Sequence, residues 1–165
     1  MKKYLLLVLL FLFIWIPASA QNCKIDGTFI SIVESMNVLD QMINERVYSQ
    51  VDIKNCNFEM LNESSGLYEC PINASTAMWI ITDKNLKPLS IQIFGPADNG
   101  KPSKAAYDWA FVATTYVCKD LKLDKINDIF LQTWKSGYYA DSSIEMACGD
   151  DPYLEDFWVY FIANK

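Results

Sequence analysis

Between Ser103 and Leu121 apolar residues recur at a helical period. At about 100° per residue, Ala105, Ala106, Trp109, Val112, Ala113, Tyr116 and Val117 share one arc centred on Trp109. Tyr107, Phe111 and Cys118 fall on the opposite side, and only Lys104, Asp108, Thr115 and Lys119 make a coherent wet strip. A helix apolar on two sides needs two partners. The pattern predicts a sheet on the Trp109 side, and another helix or a disulfide-tied segment on the Cys118 side.

Upstream, Phe29, Val33, Met36, Leu39, Ile43 and Val47 recur every three or four residues, widened by Ile32 and Met42. This predicts an amphipathic helix over Thr28–Arg46, capped by Thr28 or Asp26, although Phe29–Val33 alone would also suit a strand. From Asn55 the period drops to two. Cys56, Phe58 and Met60 alternate, the turn-rich Asn62–Gly66 follows, and Tyr68 and Cys70 alternate on the way out, a hairpin pattern. Met78–Ile81 and Leu89–Phe94 make a second hairpin, with Leu89, Ile91 and Ile93 on one face and Ser90, Gln92 and Phe94 on the other. Leu123, Ile126, Ile129, Phe130 and Trp134 suggest a shorter helix stopped at Gly137. Ala140–Cys148 and Phe157–Ala163 close the chain as a third hairpin around Gly149–Pro152. In its last strand Phe157, Val159 and Phe161 are taken to face the core, with Trp158, Tyr160 and Ile162 on the reverse. The fold class is α+β: an antiparallel sheet of about six strands in three hairpins, helices packed on one face, tied by disulfides.

The first residues change where this fold is expected to work. Lys2 and Lys3, the apolar run Leu5–Ile16, the break at Pro17 and Ala18-Ser19-Ala20 are the parts of a secretory signal peptide. The apolar run is too short to span a bilayer. Cleavage after Ala20 would leave residues 21–165 as one domain without a membrane anchor, in the bacterial periplasm or outside the cell. Loss of two lysines would make the mature chain two charges more negative than the −6 of the full sequence. So acidic a chain, with no basic patch, is a poor nucleic-acid binder, and its favoured partner is a protein, plausibly a basic one. Oligomeric state is not legible.

All five cysteines lie beyond the expected cleavage point, in an oxidising compartment. Cys56 and Cys70 stand almost symmetrically about the hairpin turn and are the first pair expected to bridge, with Cys118 and Cys148 next. Cys23 is then the odd thiol. A zinc site is disfavoured by the absence of histidine and of any C-x-x-C spacing.

The missing histidine also removes the commonest general base and every Ser-His or Cys-His nucleophile pair. No catalytic residue and no cofactor are assigned. The densest acid group, Asp150, Asp151, Glu155 and Asp156, is a solvated hairpin end on the plain reading. Asp150, Asp151 and Glu155 form a weak alternative cation or acid–base site. Asn62-Glu63-Ser64 and Asn73-Ala74-Ser75 match the N-glycosylation signal but read as turn residues in a bacterial chain. Trp134, Ser136, Tyr138 and Tyr139, with Tyr153 in the acidic turn, have the make-up of a protein-contact surface.

Ser136-Gly137-Tyr138-Tyr139 and Ser65-Gly66-Leu67-Tyr68 share the form Ser-Gly-x-Tyr, which resembles the loop motif of some secreted bacterial lysozyme inhibitors. In that family the serine and tyrosine enter the lysozyme cleft and meet its catalytic carboxylates. The family fold is β-rich and lacks a long central helix, a departure from the pattern here. The resemblance implies contact roles for Ser65, Tyr68, Ser136 and Tyr138 or Tyr139. The leading expectation is a non-enzymatic protein-binding protein of inhibitor, immunity or assembly-partner type. The alternatives are a small-ligand binder with a pocket between sheet and central helix, and a carboxylate-dependent enzyme.

Overall fold

The structure is a computed structural model that describes residues 23–44, 50–99, 101–150 and 156–165. The expected signal peptide lies outside the described residues, as do Asp151, Tyr153 and Glu155. Helix α1 spans Phe29–Asn44, α2 Lys104–Val117 and α3 Leu123–Ser136. The strands are β1 (Asn57–Asn62), β2 (Ser65–Pro71), β3 (Ala77–Asp83), β4 (Pro88–Asp98), β5 (Lys101–Pro102), β6 (Tyr138–Ala140), β7 (Ile144–Asp150) and β8 (Phe157–Asn164). They form one antiparallel sheet in the order β1-β2-β3-β4-β8-β7-β6, with β5 paired to β4. The class is α+β, as the alternation of periods predicts. Eight strands replace about six because β5 and β6 are too short to leave a periodic trace.

Local chemistry sets the helix boundaries. At the start of α1, Thr28 Oγ1 accepts the Ser31 amide while Ser31 Oγ accepts the Thr28 amide, a reciprocal cap. Ser103 caps α2 by accepting the Ala106 amide at 3.2 Å. Gly137 ends α3 at φ 76°, the left-handed conformation that a residue with a Cβ adopts only under strain.

The two-sided expectation for α2 holds, with the correction that Thr115, expected on the wet strip, is buried. Trp109, Val112, Ala113, Tyr116 and Val117 are buried, and Thr114 bonds the hydroxyl of Tyr160 on β8 at 2.8 Å. On the other side, Tyr107 and Phe111 meet Phe130 of α3 edge-on at 5.1 Å each. Cys118 is bonded to Cys23. All three helices lie on one face of the sheet: Phe29 of α1 stacks on Tyr68, and Phe130 and Trp134 of α3 reach Tyr160 and Trp158. Among the described residues of the expected helical stripes, Met42 at 73% and Leu123 at 64% exposure stand outside this core, and Val47 lies outside the described residues.

Three sequence expectations are corrected. Cys23 is not the odd cysteine: it pairs with Cys118, and Cys56, Cys70 and Cys148 are free thiols, so neither the Cys56–Cys70 bridge expected first nor Cys118–Cys148 is formed. Spacing gave no hint of this, because the chain ahead of α1 is carried to the end of α2, where the Lys24 amide bonds the Val117 carbonyl. In β8 the faces are exchanged: Trp158, Tyr160 and Ile162 are buried, and Phe157, Val159 and Phe161 lie on the reverse. In β4, Ile81 pairs with Ser90 and Thr82 with Pro88, so Leu89 is an extra residue in a bulge and is exposed.

Candidate functional site

The two Ser-Gly-x-Tyr segments do structural work. Ser65-Gly66-Leu67-Tyr68 is not a loop but the body of β2. A Cβ on Gly66 would lie 2.6 Å from the Phe58 ring, so the glycine lets Phe58 lie across the strand. Tyr68 is held between that ring and Phe29, with centroids 3.9 Å from Phe29 and 4.6 Å from Phe58. In the second segment, Ser136 Oγ sits 2.8 Å from the Gln132 carbonyl and 2.6 Å from that of Tyr138, closing α3. Tyr139 turns inward, its hydroxyl 3.4 Å from the Asp141 carboxylate. Burial, and then the Asp141 charge, raise its pKa. Five strand spacings of about 4.8 Å separate β2 from β6, so the two segments lie about 24 Å apart and cannot form one contact loop.

Of the other expected contact residues, Tyr138 is exposed at 51%, its hydroxyl 3.4 Å from the Glu145 carboxylate. Trp134 instead packs between Tyr107 and Trp158, at 4.9 and 5.5 Å. These three rings floor a groove of about 590 Å³ between α2, α3 and the sheet, edged by Lys101, Lys104 and the Cys148 thiol. Asp150 is exposed at the end of β7. Among the described residues no group of three or more acids or cysteines is arranged to hold a metal ion.

The feature that sequence reasoning missed is the face of the sheet turned away from the helices. Cross-strand pairing lines up Asn57, Glu69, Trp79, Gln92, Phe161, Ala147 and Tyr138 in one row across all seven strands of the path. The next row runs Glu59, Leu67, Ile81, Ser90, Ala163, Glu145 and Ala140. On the other side of the first, Pro71, Ala77, Phe94, Val159 and Gly149 continue the surface. Its centre is apolar, and Trp79 meets Phe94 with ring centroids 4.4 Å apart. The charges that the seven strands of the path place on it are carboxylates, Glu59, Glu69, Asp83 and Glu145, and among the described residues the nearest strand cation is Lys101 of β5, paired with Asp98 at the end of β4. None of the ion pairs between described residues reaches it. The signal available in the sequence was β8 itself, Phe157–Ala163, in which both alternating sets are apolar, so that one greasy set had to lie outside the core.

Elsewhere, charged groups are tied into the fold. Lys119 and Lys24 flank Asp26 at 2.7 and 3.1 Å, and the Lys119 bond leads in holding its carboxyl below the ordinary range. Burial pushes Asp141 up, but the Ser143 and Ile144 amides it accepts more than offset this and hold it low. Asn62 and Asn73 accept the amides of Ser64 and Ser75 through their side-chain oxygens, as turn residues do. No helix among the described residues is long and apolar enough to cross a membrane, and the Cys23–Cys118 bond fits an oxidising, exported compartment. No family model, curated protein or solved structure matches the chain.

Proposed function

We propose that this is an exported protein, periplasmic or extracellular, that acts without catalysis by binding another protein, as an inhibitor, immunity factor or assembly partner. The open sheet face is its contact surface. The observation that carries this reading is the composition of that face: Trp79, Ile81, Phe94, Val159 and Phe161 at the centre, carboxylates around them and no lysine or arginine in the seven strands of the path. A continuous aromatic and aliphatic surface that the described helices leave uncovered is the usual mark of an interaction site. The carboxylates decide the occupant. A second copy would set acid against acid, whereas a partner with an apolar centre and a rim of lysine or arginine would be complementary. The absence of histidine supports the non-catalytic part of the reading.

Capture from an envelope extract of the producing cells, with disulfides intact, compares the native chain with a Trp79→Glu/Phe161→Glu double variant. The native chain is expected to retain a discrete protein with a basic surface, released at about 0.5 M salt, where the Debye length falls to a few ångströms. The double variant is expected to retain none while melting normally. Equal retention by both forms, no retention by either, or self-association lost in the variant would overturn the reading.

A second reading is favoured by the groove under Tyr107, Trp134 and Trp158, where an aromatic floor beside Lys101 suits a small planar anion. A titration of tryptophan fluorescence with aromatic carboxylates that gave no saturable change would remove it.

A further inference from the structure

Cys56 and Cys70 are the pair of nucleophilic side chains that the partner-binding reading leaves unused. The β1–β2 ladder pairs Asn57 with Glu69 and Phe58 with Tyr68, so one step further the register sets Cys56 against Cys70. The two thiols are near enough to influence each other's ionisation. Residues directly opposite in an antiparallel pair have Cα atoms about 4.5–5.5 Å apart, inside the range a disulfide spans. Cys148 cannot compete. It stands in the row Cys70, Met78, Ile93, Tyr160, Cys148, four strand spacings or about 19 Å from Cys70. The remaining cysteines, Cys23 and Cys118, are each 1% exposed and already joined.

We infer that Cys56 and Cys70 form a thiol–disulfide exchange couple that a disulfide-bearing oxidant, small or protein-borne, closes into a second bridge across the edge hairpin. Cys56 is half-exposed at the start of β1 and Cys70 is fully buried, which fixes the order of events. The Cys56 thiolate attacks one sulfur of the oxidant, forming a mixed disulfide and releasing the first oxidant thiol. Cys70 then attacks the Cys56 sulfur, closing the bridge and releasing the second. The two thiol hydrogens and two electrons leave on the oxidant's sulfurs. Burial raises the pKa of both thiols, so the couple exchanges slowly at neutral pH and faster in mild alkali. The reverse reaction, attack by an outside thiolate at the half-exposed Cys56 sulfur, makes this bridge reducible while Cys23–Cys118 stays shielded.

The consequence falls on β1, the edge strand, whose six residues are all exposed and include Phe58, Met60 and Leu61. The tip of its hairpin is closed by the Asn62–Ser64 turn. The bridge would close the opposite end and hold an edge that is otherwise free to peel or pair with another chain.

The test is incubation of the folded full chain with oxidised glutathione at mildly alkaline pH, acid quenching, and alkylation in denaturant with intact-mass analysis, against an untreated sample, since Cys70 is buried in the folded chain. Three alkylatable thiols are expected to fall to one, Cys148, with loss of two hydrogens and a peptide linking Cys56 to Cys70. Mild reduction without denaturant should restore two thiols and leave Cys23–Cys118 intact. Three thiols persisting, a stable glutathione adduct at Cys56, a link that includes Cys148, or equal reduction of both bridges would each overturn the inference. A Cys56→Ser chain should show two thiols and no link, and the native-chain readout stands even if that variant does not fold.

Discussion

On one face of the sheet Tyr68, Ile80, Ile91, Ile162 and Met146 lie in a row beneath three helices. One residue along each strand, Glu69, Trp79, Gln92, Phe161 and Ala147 lie in a row that none of the described helices covers. Both rows carry large apolar side chains. The difference is in charge: the interior of the covered face is held by hydroxyls and thiols such as Thr114, bonded to Tyr160, whereas the open rows carry Glu59, Glu69 and Glu145 beside neutral Asn57, Ser90 and Gln92. Apolar content alone therefore does not decide which side of a sheet becomes the core. The open side keeps enough charge to stay in water and enough aromatic area to be worth covering.

Adjacent isoleucines give the largest expected effect. Ile80 is fully buried on the covered face and Ile81 half-buried on the open one. Ile80→Ala is expected to destabilise the chain by about 2–5 kcal/mol, through lost burial and the cavity left behind. Ile81→Ala should cost about 1 kcal/mol or less, because water already reaches that side. Denaturant unfolding of both variants checks this, and equal losses would mean that the open face is covered in solution.

A smaller effect separates carboxylates on the two sides of the sheet. Asp40 of α1 is 1% exposed, and its Oδ1 accepts from Asn44 at 2.6 Å while Oδ2 has no partner. Burial, reinforced by the Asp108 charge and opposed by Asn44 and Lys104, raises its pKa above the ordinary value of 3.8. Between the ordinary and the raised pKa the folded state holds more protons than the unfolded one. Stability from this group therefore increases as pH falls through that window, and ionised burial is a cost at neutral pH. Asp40→Asn is expected to stabilise by about 1 kcal/mol at pH 7, with the gain shrinking toward pH 4. Thermal melts at the two pH values check it, and a gain that did not depend on pH would place its origin elsewhere.

Much of the fold was legible because period and turn chemistry are local. The Trp109 arc, the Gly137 stop and the three hairpins follow from spacings within one or two dozen residues. Cys23–Cys118 was not legible, because nothing near Cys23 states that the chain ahead of α1 returns to the end of α2. The exchanged faces of β8 had the same origin: Phe157, Val159 and Phe161 are as greasy as Trp158, Tyr160 and Ile162, and only β4 and β7 on either side determine which set meets the helices. The candidate site was missed for that reason. The search favoured aromatics beside small residues, and Trp134, Tyr68 and Tyr139 all proved to be packing residues. Tyr138, at the margin of the open face, is the described aromatic from that set that water reaches most freely.

A photo-crosslinking amino acid placed at Phe161, and separately at Val38 on the outer side of α1, tests the docking face most directly when both chains are irradiated in the producing cell's envelope. Val38 is itself 55% exposed, so it controls for chance encounters. Position 161 is expected to yield one discrete adduct with a basic protein and position 38 none. An adduct at 38 without one at 161, or a product at 161 made only of this chain, would contradict the assignment of the open face.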